Sequence, residues 1–294
     1  MRIGIDLGGT KIEIALLDQS GQILFQQRTP TPKGDYDGTL NAIVQLVKKA
    51  EQQVKNTQKI PVGIGIPGAI SPVTRRVQNA NSVCLIDQDL AGDLENRLQR
   101  PVRLANDADC FTLSEATDGA GVHGRIVFGV ILGTGVGGGI CVEKRLLSGP
   151  NAIAGEWGHN PLPWPQPDEQ PGPSCYCGKT GCIETFLSGP GFAGALHTTP
   201  QEILQKAAQG DPQAEYLLTR YEDRLARALA GVINILDPHV VVLGGGMSNV
   251  MRLYPAVQAR WDRYIFAKRP ATQLLKARFG DSSGVRGAAW LWPK

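Results

Sequence analysis

The chain has 294 residues, enough for one large or two modest cores, and its 42% hydrophobic and 19% charged residues are ordinary for a globular protein. A formal net charge of +3 is too small to argue for nucleic acid or an anionic membrane as partner. The opening Met1-Arg2-Ile3-Gly4-Ile5-Asp6 enters a strand pattern at once, unlike a signal peptide, and no apolar run reaches the ~18 residues of a membrane span. A cytoplasmic protein is expected, whose six cysteines are thiols or metal ligands rather than disulfides.

Residues 2–6 read as a buried strand, followed by alternating Ile12, Ile14 and Leu16 and then by Ile23 and Phe25 after a Ser20-Gly21 turn. Leu40, Ile43, Val44, Val47 and Ala50 have helical spacing between Asp37 and Val54. Residues 61–66 form a short strand closed by Pro67-Gly68. A helix over 89–98 leads to a strand at 102–105, and Asn106 caps a helix reaching about 118.

A second unit is expected from about residue 119, after a first domain of residues 1–118 joined by a terminal helix at 284–294. Residues 125–132 and 139–144 read as strands around a glycine turn, and 149–184, rich in Gly, Pro and Cys, as an ordered insertion. Asp211-Pro212 starts a long helix that Asp237-Pro238 stops, and the strand 240–243 follows. The second domain thus spans 119–283.

Thirty-six glycines concentrate in clusters that point to phosphate handling. Gly8-Gly9-Thr10-Lys11 joins two strands, with Asp6 ending the first. Adjacent glycines leave backbone N–H groups open to phosphate, Thr10 adds a hydroxyl, and Asp6 can hold hydrated Mg2+. Counting from Gly4, the stretch nearly matches a P-loop, but Lys11 and Thr10 are reversed and a strand follows where a helix is required. Gly133, Thr134, Gly135, Gly137 and Gly138 form a second cluster containing G-x-G-x-x-G. The alternation after it again predicts a strand, which argues against dinucleotide binding. Gly244, Gly245 and Gly246 follow a strand and can pack against an adenine ring. Two glycine hairpins facing one cleft can hold a nucleotide's phosphates from both sides, which points to phosphoryl transfer.

Cys175, Cys177 and Cys182 lie within eight residues, with His159 the nearest upstream histidine. Three thiolates and an imidazole make the tetrahedral set of a structural Zn2+, with free or redox-active thiols as the alternative. Cys84, Cys110 and Cys141 read as small core residues.

Asp6–Lys11, the second hairpin and Cys175-x-Cys177-Gly-x-x-Gly181-Cys182-x-Glu184 together resemble the ROK family of repressors, open reading frames and sugar kinases, over essentially the whole chain. The resemblance implies an α/β fold of the two-domain actin and hexokinase type, with the active site in the interdomain cleft. Gly155–Trp164, Ile235–Pro238 and Gly280–Gly284 look more like the bacterial ROK fructokinases. Because Met1 stands at the first strand, no preceding DNA-binding segment is expected, which disfavours a repressor. The resemblance implies an ATP-dependent hexose kinase, most similar to a fructokinase, with glucose, mannose or an N-acetylhexosamine as alternative substrates and a non-catalytic sugar sensor as an alternative of another class. It makes Asp107, beside Asn106 at a strand end, the catalytic base. Glu156, His159 and Glu184 become contacts to sugar hydroxyls, joined by Asn81 and the Pro67-Gly68 backbone. His159 would then serve zinc through one nitrogen and sugar through the other. A homodimer is the family expectation.

Overall fold

In the computed structural model, which describes residues 1–54, 59–80, 82–196 and 198–293, the chain divides into two units. The first takes in residues 1–123, Gly139–Ala154 and the segment from Arg278, and the second Gly124–Gly138 and Gly155–Ala277.

Ile3, Ile5 and Leu7 alternate with smaller or polar residues, and the chain forms β1 (Arg2–Leu7). It turns at once into β2 (Lys11–Leu17), antiparallel to β1, and then β3 (Ile23–Pro30). Asp35 caps α1 (Tyr36–Gln52) by accepting the Gly38 N–H at 2.8 Å. That helix buries Leu46 where the spacing suggested Val44. β4 (Val62–Ile66) pairs in parallel with β1, and a small hairpin follows, β5 (Ala69–Ile70) with β6 (Val77–Gln78). Asp89 caps α2 (Leu90–Leu98), and β7 (Val102–Asn106) joins the sheet beside β4. The order is β3-β2-β1-β4-β7. α3 (Asp107–Thr117) begins on the residue after its cap, Asn106.

β8 (Ile126–Leu132) opens the second unit. β9 (Val136–Val142) starts there and runs on into the first, where it pairs with β10 (Arg145–Leu146). β9 begins three residues earlier than the alternation indicated, so Val136, Gly137 and Gly138 are strand residues rather than loop. The following segment is mostly turns, ending in α4 (Ile183–Leu187) and α5 (Gly189–Ala193). α6 (Pro200–Ala208) is capped by Thr199. The long α7 (Pro212–Leu236) runs from its Asp211 cap to Asp237, which adopts φ +49°. β11 (Val240–Gly244) pairs in parallel with β8 on one side and β12 (Gln273–Lys276) on the other, and α8 (Leu253–Trp261) lies between them in sequence.

α9 (Ser283–Trp290) returns to the first unit, where missing side chains let it approach the sheet. A Cβ at Gly4 would sit 1.9 Å from the Val285 carbonyl, one at Gly63 1.9 Å from that of Ala288, and one at Gly287 1.6 Å from that of Cys110 on α3. Gly4 is therefore a packing glycine inside β1 and not a nucleotide-loop residue. Glu115 on α3 is fully buried and accepts N–H groups of Ala120, Arg278 and Phe279 and the Ser283 hydroxyl, pinning the chain that leads into α9. No helix among the described residues is long and apolar enough to cross a membrane.

Candidate active site and metal centre

In the first unit the β1–β2 hairpin places Gly9 and Thr10 at an exposed tip. Gly8 N–H donates to the Lys11 carbonyl at 3.0 Å, and Thr31 holds the turn through Gly8 O and Thr10 O. Among the described residues a Cβ at Gly9 would meet nothing nearer than Ser82 Oγ at 3.6 Å, so the space they leave beside the tip is open. A cavity of about 280 Å³ adjoins it, lined by Leu7, Gly9, Thr31, Lys33, Ser82 and Cys84 among others. Cys84 is thus a half-buried wall residue and not core, whereas Cys110 and Cys141 are buried.

Asp6, one residue before the end of β1, lies opposite Glu13 of β2. Its carboxyl is pushed up to about 6 by burial first, then by the charges of Asp107 and Glu13, with Lys11 and Arg28 opposing. Glu13 is buried and bound by Arg28 at 2.7 Å, while Lys11 Nζ lies 3.9 Å from it. Lys11 is therefore an ion-pair partner of Glu13 in this structure. Glu13 escaped the sequence reading because a carboxylate inside an alternating strand looks like a solvent-facing one.

Asn106 accepts the Ala108 N–H at 2.8 Å and donates Nδ2 to the Gly68 carbonyl at 2.9 Å. Gly68 has φ +99°, and a side chain there would strike Gln78 O and Ala80. Asn106 takes one lone pair of the Gly68 carbonyl, the Gly68 N–H can serve a ligand, and Pro67 has no N–H to offer. Asp107, the first residue of α3, also accepts from Ala108 N at 2.8 Å. Loss of surrounding water raises its carboxyl, and the helix-start N–H groups work against that rise. Asn81 lies outside the described residues.

In the second unit the turn proper is Gly133–Gly135, closed by Gly133 N–H on Gly135 O at 3.0 Å and held by Gly189 N–H on Gly133 O at 2.7 Å. Thr134 is exposed at its tip. Glu184 accepts the Val136 N–H at 2.8 Å, and a Cβ at Gly135 would lie 2.7 Å from the same carboxylate oxygen. One oxygen of Glu184 therefore braces this turn. Gly138 is small for another reason: a Cβ there would lie 2.7 Å from the Trp157 ring, whose Nε1 donates to Gly137 O at 3.1 Å. Gly245, at φ +78°, runs against the Leu132 backbone, whereas Gly246 faces open space and Gly244 ends β11.

His159, Cys175, Cys177 and Cys182 bring their ligand atoms within 4.8 Å of one another. Sγ of Cys177 and Cys182 are 3.7 Å apart, and His159 Nδ1 is 3.5 Å from Cys175 Sγ. A tetrahedron with Zn–S of about 2.3 Å and Zn–N of about 2.0–2.1 Å has edges of about 3.8 and 3.6 Å. The donor set fits zinc. Tyr176, missed in the sequence because it looks like a spacer between ligands, places Oη 2.9 Å from His159 Nε2. Although the ring is exposed, its phenol is pushed up to about 12 by loss of water around the oxygen and then by the charges of Glu184 and Glu156.

The insertion is tied down by Glu169, which lies buried under Arg220, Arg224 and Arg227 of α7. Burial alone would raise its carboxyl, but Arg224, the Gln166 N–H and Arg227 outweigh it and hold it down to about 2. Arg227 also donates to the carbonyls of Pro163 and Trp164, just past His159.

The profile of the ROK family matches residues 2–294. N-acetyl-D-glucosamine kinases of Yersinia pseudotuberculosis serotype O:1b and Escherichia coli O139:H28 are each 40% identical over 301 residues, covering 99% of this chain and 98% and 99% of their own. Among solved structures, a ROK hexokinase from Thermus thermophilus superposes with TM-score 0.85 at 31% identity, covering 98% of this chain and 96% of that one. A ROK glucokinase from Streptomyces griseus, in complex with glucose and AMPPNP, gives 0.78 at 29% identity, covering 99% and 98%. The chain belongs to the ROK family, and its two α/β units have the actin-like sugar kinase fold of these hexokinases.

Proposed function

We propose that this protein transfers the γ-phosphoryl group of ATP to a hexose in the cytoplasm, with Asp107 as base. The observation that carries this reading is the carboxylate of Asp107 at the first residue of α3, its charge felt by Asp6 beside an open glycine hairpin. The hexose hydroxyl loses its proton to Asp107 as its oxygen bonds to the γ-phosphorus, and the bond to ADP breaks. Asp6 would hold Mg2+, which neutralises charge on the phosphate oxygens when bound. The backbone at Gly8–Thr10 and Gly133–Gly135 receives phosphates, and Gly244–Gly246 the adenine. Glu156, His159, the second oxygen of Glu184, Asn106 and the Gly68 N–H orient the sugar. Zinc held by His159, Cys175, Cys177 and Cys182 supplies rigidity and no chemistry. Asp107→Asn should fold, since Asn106 remains the cap, while kcat falls at least about 10²-fold and calorimetric hexose affinity changes far less. Near-normal turnover by that variant would move the base elsewhere, with Glu156 next in line.

For the hexose itself we favour fructose. Of the three fructokinase-like stretches, Asp237 is a helix stop and Ser283 a ligand of Glu115, so both are explained by folding. Only Gly155–Trp164 carries sugar contacts, and the preference rests there. The 40% identity to N-acetyl-D-glucosamine kinases supports that sugar as the second reading. Coupled ADP assays over fructose, glucose, mannose and N-acetylhexosamines should give fructose the highest kcat/KM. A clear preference for an N-acetylhexosamine would reverse the two.

Self-association into a homodimer fits an apolar patch on the second unit. Phe266 and Ile235 are fully and 90% exposed, joined through Asn234 to the Tyr264–Trp164 ring pair. Phe266→Asp should shift the sedimentation coefficient toward a monomer.

A further inference from the structure

Tyr176 sits between two cysteines of the zinc set, yet the metal does not account for it. Its side chain is 81% exposed, so packing does not fix the ring. It nevertheless stands edge-on to His159, with centroids 5.1 Å apart and planes at 90°, and its Oη reaches Nε2 at 2.9 Å. His159 turns Nδ1 toward Cys175 Sγ, and a ligating Nδ1 is unprotonated, so Nε2 carries the ring proton and donates it to Oη. The phenolic hydrogen then takes no part in the bond to His159. A sugar hydroxyl approaching His159 needs that same Nε2 proton.

We propose that Tyr176 is a specificity-determining side chain of the hexose site, occupying the hydrogen-bond position on His159 Nε2 when no sugar is bound and swinging aside to admit one. This rests on reading His159 as a sugar contact. The backbone on both sides stays anchored, because Cys175 N–H donates to Lys179 O at 2.8 Å and Gly178 N–H to Cys175 O at 3.0 Å. Rotation of the exposed ring therefore leaves the cysteine cage in place. Each entering sugar must replace the phenol's hydrogen bond with one of its own, so a hexose with a hydroxyl in that direction displaces Tyr176 more readily than one with a bulky or apolar substituent.

Tyr176→Phe keeps the ring and removes the competing oxygen. With zinc content per chain measured to be unchanged, KM for the preferred hexose should fall about 2- to 10-fold, the range of one hydrogen bond exchanged for another. Calorimetric Kd for the hexose in the absence of nucleotide should fall in the same ratio, with the effect on KM rather than kcat. The ratio of kcat/KM between preferred and poor hexoses should narrow. Unchanged Kd and KM would overturn the proposal, as would a rise in both, which would make the phenol a direct sugar contact. A wild-type protein that turns over a hexose while the variant's Kd stays put sinks only the role of Tyr176. One that neither binds nor phosphorylates any hexose sinks the kinase reading as well.

Discussion

The two glycine clusters look alike as strings but are built on opposite principles. The Gly8–Lys11 hairpin is held from one side by Thr31, opens onto a cavity, and stands over carboxylates that repel one another. The Gly133–Gly139 stretch is propped from beneath, by Glu184 under Gly135 and by Trp157 under Gly138. A Cβ at Gly139, on the part of β9 that lies in the first unit, would come within 2.8 Å of Ala108 O on α3. Glycine in the first cluster leaves room for a ligand. In the second, most of it leaves room for the protein itself.

Substitutions separate the two cases. The largest effect is expected at Gly138, where an alanine meets a buried ring and the Gly155 carbonyl, neither able to yield. Gly138→Ala should lower the unfolding free energy by about 2–3 kcal/mol in urea melts, in the range for overpacking. A loss below about 0.5 kcal/mol would break the contrast.

Next comes Asp6. Its folded carboxyl is raised from 3.8 to about 6, so the native state disfavours its ionised form. The stability it contributes is full below about pH 4, its unfolded value, and lost as pH rises through about 6. Asp6→Asn should therefore stabilise the protein at pH 7.5 by up to about 3 kcal/mol, with the gain vanishing near pH 4, while activity collapses. A gain that persists at pH 4 would rule out titration as the cause.

Gly135→Ala should be milder, because a carboxylate tip can move. Glu184 would give up its bond to Val136, lowering stability by about 1 kcal/mol and raising the sugar KM. Gly9→Ala should be smallest, within about 0.5 kcal/mol of wild type in the same melts, its effect confined to the KM for ATP.

Much of this was legible in the sequence where physics is local. Apolar runs and alternation gave β1, β2 and β4, and the cap at Asn106 and the Asp211-Pro212 start fell within a residue of the observed helices. The cysteine spacing brought its four ligands together. What stayed hidden depends on contacts distant in sequence. Gly4 was assigned to a phosphate loop although its reason for being glycine lies at Val285, and Gly138 although its reason lies at Trp157. Glu13, Glu115 and Glu169 carry no signal in the sequence, because nothing nearby announces that Arg28, Ser283 or Arg224 will meet them. The short α8 was passed over because it buries few residues and carries Pro255 in its first turn.

The close seating of α9 on β1 and β4 has a consequence for biosynthesis. A ribosome releases β1 long before α9, so one face of the first sheet waits for all the elements between them before its cover arrives. Arg2 then donates to the Trp292 carbonyl at 2.8 Å and Trp292 Nε1 to Val62 O at 2.7 Å, stitching the final residues onto the first strands. The core elements of the second unit between Gly155 and Ala277 are continuous in sequence and complete before that point. The order of synthesis therefore favours assembly of the later unit first, with the earlier one closing only when α9 emerges.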